Sequence, residues 1–217
     1  MMLKEDKFKL CNKFYNQIMP FNLTLKYFNH ESHIHGIMHT YRVMHNVQLV
    51  AREHEINEQQ IKTAYCAAFI HDMARMHDGF CTEHGAWAVA EKLPLFKNDF
   101  IQYGLSAENI EALKTAVTYH SLHEELSSTH EHYEITALLK DADALDRIRL
   151  GYPGLDASYL RLPKSKLLIE TAEHNFFITE NSMCNSWFEF SEIIKAGSLK
   201  ITELRVKGFR FLKFLIR

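Results

Sequence analysis

The chain has 217 residues and is 47% hydrophobic, enough to bury a substantial core in one generous domain without disulfide staples. Lys and Arg total 25 against 27 Asp and Glu, a formal charge of −2, which argues against the broad positive field of a non-specific nucleic-acid binder, so no extended nucleic-acid surface is expected. Cys11, Cys66, Cys81 and Cys184 show no C-x-x-C pairing, and neither a disulfide framework nor a cysteine zinc site is expected.

Apolar residues recur at helical spacing nearly throughout, and strand-like alternation is scarce, so the expected fold class is all-α. A first helix over roughly residues 5–19 should end or kink at Pro20, and Pro94, Pro153 and Pro163 mark later boundaries. The opening "MMLKEDKFKLCNKFYNQIM" interrupts every apolar run with charge, which predicts no secretory signal. No segment approaches about twenty apolar residues, so no membrane span is predicted, and the expected location is the cytoplasm. No repeat or Gly/Ser linker divides the chain.

Histidine is unusually abundant at 14, and it clusters in residues 30–45, 71–84 and 120–132. In "HGIMHTYRVMHNVQLV", His39, Val43, Val47 and Val50 fall on one face of a helix that begins near His39, which points that histidine at the core. In "AYCAAFIHDMARMHDGF", a run of small and apolar residues suited to a buried helix arrives without a break at His71 and Asp72. In "AENIEALKTAVTYHSLHEE", Ile110, Leu113 and Val117 lead to His120 at the end of an apolar stripe. A lone inward imidazole is ordinarily a core histidine bonded to a carbonyl or carboxylate. Several buried imidazoles and carboxylates without partners cost several kcal/mol each, whereas one divalent cation would bind them at a single point. A metal centre is therefore expected. Near residue 140, "ALLKDADALDRIRL" supplies carboxylates: Leu139, Asp143 and Asp146 share one helix face, Leu138, Asp141 and Leu145 a neighbouring one, and periodicity does not choose between Asp141 and Asp143.

Taken in order, "HTYRV", "AFIHDMAR", "EHGAWA", "TYHS" and "DADALDR" resemble the HD-domain superfamily of metal-dependent phosphohydrolases, over roughly residues 35–150. The stretch "LGYPGLDASYLRLPKSKLL" is similar to a tail of some small bacterial HD proteins. The resemblance implies a single helical bundle over 35–150, an N-terminal helical segment 1–34 packed on it, and a helical C-terminal elaboration over 151–217. It implies that His39, His71, Asp72 and Asp143 hold a first metal, with Asp143 preferred as the second Asp of the D-x-D and Asp141 behind it. His84 and His120 match the places that add a second metal, with Asp72 bridging. The complete six-ligand set puts a two-ion site ahead of a mononuclear one, and nitrogen and oxygen donors without sulfur suit Mn, Fe, Co, Ni or Zn.

The activity so implied is hydrolysis of a phosphoester of a small molecule, in the first place a nucleotide, by metal-activated water. Arg75 stands where many members keep a cation near the phosphate, and it is expected to bind substrate and assist catalysis. Arg42, Lys140 and Arg147 are further candidates for substrate contact, each with a structural alternative: a salt bridge to a ligand carboxylate for Arg42, solvated helix charges for the others. Asp78 would orient a ligand imidazole or cap a turn. His30, His33, His35, His77, His123, His130 and His132 are read as structural or surface residues, and His45 as lying off the metal face. Selectivity would come from residues 77–84, 121–132 and 151–163, where Tyr152 and Tyr159 could stack on a base. The basic, aromatic "LKITELRVKGFRFLKFLIR" is expected to cover the core, with membrane or nucleic-acid contact as its alternative. Two other functions share this ligand set: a di-iron oxygenase, and a non-catalytic binding module stabilised by metal. A homo-oligomer is compatible with the sequence.

Overall fold

The computed structural model describes residues 23–151 and 154–206, and every regular element in them is helical, as the apolar periodicity predicts. The expected first helix with Pro20, Cys11, Tyr152, Pro153 and the basic stretch beyond Val206 lie outside the described residues.

Helix α1 (Ile37–His54) runs through the middle of the bundle, and every residue from His39 to Ala51 is buried. Its apolar face, Val43, Val47 and Val50, is fully covered, as the spacing implies. The polar residues on its other faces are buried too, so each needs a partner. Asn46 donates to the Ala142 carbonyl at 3.0 Å and Arg42 to Asp146 at 2.6 Å.

Helix α2 (Glu58–Ile70) starts at a capping box, in which Asn57 accepts the Gln60 backbone N–H at 2.9 Å. Ala64, Ala67 and Ala68 are fully buried, and their small side chains let α2 lie close to its neighbours. The next helical stretch is continuous from α3 (His84–Trp87) through a π turn (Ala88–Lys92) into α4 (Leu93–Gln102). Pro94 therefore does not separate two elements. It sits in the first turn of α4, just after the wide π turn, where the backbone N–H and the close i−4 approach that proline denies a regular helix are not required.

Helix α5 (Ala107–His120) is capped by Ser106, which accepts the Asn109 N–H, and α6 (Tyr133–Leu145) continues into a 3₁₀ turn, Asp146–Leu150. Helices α1, α2, α5 and α6 pack on one another, with Leu113, Leu138, Leu139 and Leu145 fully buried between them. Two aromatic groups flank this four-helix centre. Phe69 meets Phe96 edge-on at 5.0 Å, which fastens α4 to α2. Trp187 and Phe190, in the first turn of α8 (Trp187–Val206), reach Tyr41 on α1 at 5.7 and 5.6 Å. Helix α7 (Ile169–Thr179) packs between α8 and the 3₁₀ turn after α6. The buried apolar residues form one cluster running from Leu23 to Ile194. Among the described residues no helix is long and apolar enough to cross a membrane.

Candidate metal centre

Four helix ends and the start of α1 converge on one point. His39 occupies the first turn of α1, and His71 is the residue at which α2 ends. His84 opens α3, His120 closes α5, and Asp143 lies in the last turn of α6. Gly85 permits the approach of α3 to α5, because a Cβ there would run into the Val117 carbonyl oxygen and come within 2.8 Å of Ser121 Oγ. Only a residue without a side chain lets His84 sit against His120.

Each imidazole is fixed through its Nδ1. His39 bonds to Asp146 at 2.8 Å, His71 to the Ala68 carbonyl at 2.7 Å, His84 to the Cys81 carbonyl at 3.0 Å and His120 to the Val117 carbonyl at 2.5 Å. All four partners only accept, so each Nδ1 carries the hydrogen. Burial pushes the His71 imidazole down to about 3 and lowers that of His84, so at neutral pH these rings are uncharged and their Nε2 atoms bear lone pairs.

Those lone pairs face one another. His39 Nε2 is 3.1 Å from His71 Nε2, and His84 Nε2 is 3.0 Å from His120 Nε2. A cation between the two nitrogens of each pair would use both lone pairs. Asp72 presents one oxygen to each pair: Oδ2 is 3.3 Å from His39 Nε2 and 3.6 Å from His71 Nε2, while Oδ1 is 3.1 Å from His84 Nε2 and 3.6 Å from His120 Nε2. Asp143 Oδ1 lies 3.4 Å from His39 Nε2, and that oxygen is buried without a hydrogen-bond partner. His39, His71 and Asp72 form one group that could hold a metal ion, and Asp72, His84 and His120 a second, with the donor atoms in each within 4.8 Å of one another. Tautomers that point every lone pair inward, and an orphaned carboxylate oxygen beside them, fit a divalent cation.

A further layer of charge supports the donors. Asp146 bonds His39 through Oδ2 and accepts the Arg42 Nε–H through Oδ1 at 2.6 Å. Burial opposes its ionisation, but the Arg42 guanidinium and the His39 hydrogen bond outweigh burial and hold the carboxyl below the ordinary carboxylate range. Arg149 reaches Asp143 Oδ1 at 3.7 Å and Asp146 Oδ2 at 3.8 Å, with its Nε–H anchored on the Ile34 carbonyl at 3.0 Å. Burial raises the Asp143 carboxyl pKa, and Arg149 leads the charges that bring it below the usual range. Arg75 donates from Nε to Asp72 Oδ1 at 3.0 Å and from Nη1 to the Gly79 carbonyl at 3.1 Å.

The structure thus brings together His39, His71, Asp72, His84, His120 and Asp143, with Arg75 beside them. It places Asp143, and not Asp141, toward the cluster: Asp141 accepts the backbone N–H groups of Arg161 and Leu162 at 2.8 and 2.9 Å, tying the C-terminal segment down. Three other cations expected near substrate have partners within the protein. Arg42 is buried against Asp146, with its guanidinium over the Phe176 ring at 5.1 Å. Lys140 is buried too, its amine on the Leu122 carbonyl at 3.1 Å and on Glu125 at 3.2 Å. Arg147 bonds the Gly154 carbonyl at 3.0 Å and covers the Tyr159 ring at 5.2 Å. Asp78 orients no ligand of the cluster. It bonds Ser32 and His35, and His35 is a buried structural histidine.

Asp146 and Arg149 are the supporting residues that sequence reasoning missed. Asp146 carried a signal, since it shares a helix face with Asp143. Arg149 carried none, because the turn that aims it at Asp143 is not helical in the α sense. Comparison with known proteins finds no matching family model, no matching curated protein and no matching solved structure.

Proposed function

We propose that the protein is an HD-type metal-dependent phosphohydrolase that cleaves a phosphoester of a small molecule, a nucleotide in the first place, at a two-ion centre. The observation that carries this reading is the placement of Asp72, whose two carboxylate oxygens each face a different pair of imidazole nitrogens. A carboxylate so placed is suited to bridge two cations. A pair of divalent ions supplies water activation at neutral pH and neutralises charge on the phosphoryl oxygens.

The chain's own residues do the rest. His39, His71 and Asp143 complete the donors on one side of Asp72, and His84 and His120 on the other. The carbonyls of Ala68, Cys81 and Val117 and the Asp146 carboxylate hold the rings in the tautomer that donates toward the centre. Arg75, half-buried and bonded to Asp72 through Nε and to the Gly79 carbonyl through Nη1, keeps Nη2 for a phosphoryl oxygen, whose charge its guanidinium offsets. The same donors without sulfur accommodate iron, which keeps oxygen chemistry as the second reading.

Elemental analysis of the purified protein beside Asp72→Ala and His84→Ala, followed by a phosphoester panel on the metal-loaded forms, tests the reading. About two equivalents per chain are expected, with loss of about one in His84→Ala and nearly all in Asp72→Ala, together with hydrolysis of nucleoside monophosphates that Asp72→Ala abolishes. Fully metallated protein that cleaves no phosphoester sinks the proposal. Iron with a coupled spectroscopic signal perturbed by substrate would then favour the oxygenase. A large fall in melting temperature on chelation without turnover would favour a metal-stabilised binding module.

A further inference from the structure

Phe80 is 76% exposed, yet its ring is not idle: it stacks on the exposed imidazole of His123, with ring centroids 5.4 Å apart and planes inclined by 24°. The two rings come from different loops, one leading into His84 and the other leading out of His120. The first loop is bonded to the side-chain cluster, and the second leaves it directly at His120. The Gly79 carbonyl, just before Phe80, accepts from Arg75, and the Cys81 carbonyl, just after it, accepts from His84 Nδ1. The loops are also tied to each other, since Ser121 donates to the Thr82 carbonyl at 2.7 Å. Phe80 is therefore the residue between the two carbonyls that bond Arg75 and His84, and its ring meets the loop that leaves His120.

Among the described residues Phe80 is the most exposed phenyl ring, above Phe188 at 59% and Phe177 at 51%, and of the three it is the one stacked beside the cluster's loops. We infer that the Phe80–His123 pair is a stacking platform for the planar ring of the substrate, so that the substrate is a phosphorylated molecule carrying a heteroaromatic ring, the chemistry of a nucleoside monophosphate. This deepens the hydrolase reading and rests on it for the phosphoryl end. A phosphate held at Arg75 and the imidazole cluster places the remainder of the molecule over the rim, where an aromatic face accepts any base without hydrogen-bond readout.

The test is equilibrium binding to the metal-loaded full chain of the four common nucleoside 5′-monophosphates and of ribose 5-phosphate, with turnover followed in the same samples. Parent, Phe80→Ala, Phe80→Trp and His123→Ala are compared. At least one nucleotide should bind on the order of tenfold or more tighter than ribose 5-phosphate in the parent. That preference should collapse in Phe80→Ala, fall in His123→Ala and persist in Phe80→Trp. No preference for any nucleotide over ribose 5-phosphate, or a preference that Phe80→Ala leaves intact, overturns the inference. Hydrolysis with no ring preference overturns the platform and keeps the hydrolase. A Phe80-dependent preference without turnover keeps the platform and overturns the hydrolase.

Discussion

Asp146 Oδ2 lies 2.8 Å from His39 Nδ1, a contact that joins residues 107 positions apart and fixes which nitrogen of His39 faces the cluster. The opposite oxygen of the same carboxylate takes the Arg42 N–H, so the guanidinium's charge reaches the imidazole through one buried group. Asp146→Asn keeps the shape and removes the charge. It leaves Arg42 buried without a counterion and lets the His39 ring choose the other tautomer. Stability should fall on the order of 3 kcal/mol, and affinity for the first metal by about 10- to 100-fold. Thermal denaturation with and without added metal, read beside a competition assay with a chelating dye, checks both figures. Metal affinity equal to the parent's would show that Asp146 serves the fold alone.

Arg149 acts on Asp143 from 3.7 Å away, and its effect is electrostatic. Removing the guanidinium in Arg149→Met takes away the leading charge that lowers the Asp143 carboxyl, so its pKa rises from its lowered position. A higher pKa means that protons compete with the cation at higher pH. Metal release on acidification should therefore begin nearer neutrality in Arg149→Met than in the parent, while metal content at pH 8 stays close to the parent's. Release curves that superimpose would remove Arg149 from the metal's support.

What the sequence disclosed divides by the range of the interaction. Helical spacing turned His39 and His120 inward, and both are found there, because spacing along one helix is local information. The choice between Asp141 and Asp143 could not be made locally. Both faces of α6 are buried, one against the cluster and the other against the backbone of Arg161 and Leu162, and only the arrival of that distant segment distinguishes them. Arg42 shows the same limit: a buried arginine and a solvated one look alike in sequence, and its partner Asp146 lies in the turn after α6. His84 carries no periodic signal, being the first residue of a short helix. Its place beside His120 depends on Gly85.

Gly85 supplies a test that separates the two donor groups. A methyl group at this position meets the backbone of Val117, which cannot yield without moving the last turn of α5, so Gly85→Ala must push α3 away from α5. His84 moves with α3, and His120 and His71 stay where α5 and α2 hold them. The variant should lose about one equivalent of metal and retain the ion held by His39, His71 and Asp72. Its melting temperature should fall modestly, since the core around α1, α2 and α6 is untouched. Loss of both equivalents, or of neither, contradicts the assignment of His84 and His120 to a separate group.

His45 lies on α1 away from the cluster, packed against Phe190 at 6.2 Å, and burial lowers its imidazole to about 3. The sign of its effect on stability follows. Between about pH 6.5 and 3 the unfolded chain protonates this histidine and the folded chain does not, so the unfolded state binds more protons and acid favours it. The contribution is fully present above pH 6.5 and is lost as pH falls toward 3, at up to about 1.4 kcal/mol per pH unit for the single group. His71 adds a similar slope in metal-free protein, because its imidazole is also held near 3. Urea denaturation of the metal-free chain at intervals from pH 7.5 to 4.5 should show stability falling steadily, and His45→Gln should flatten the curve by about one proton's worth. Saturating metal should steepen the fall, since protons must then also displace the cation from His71. A His45→Gln profile parallel to the parent's would mean that the folded and unfolded chains take up the proton on His45 alike.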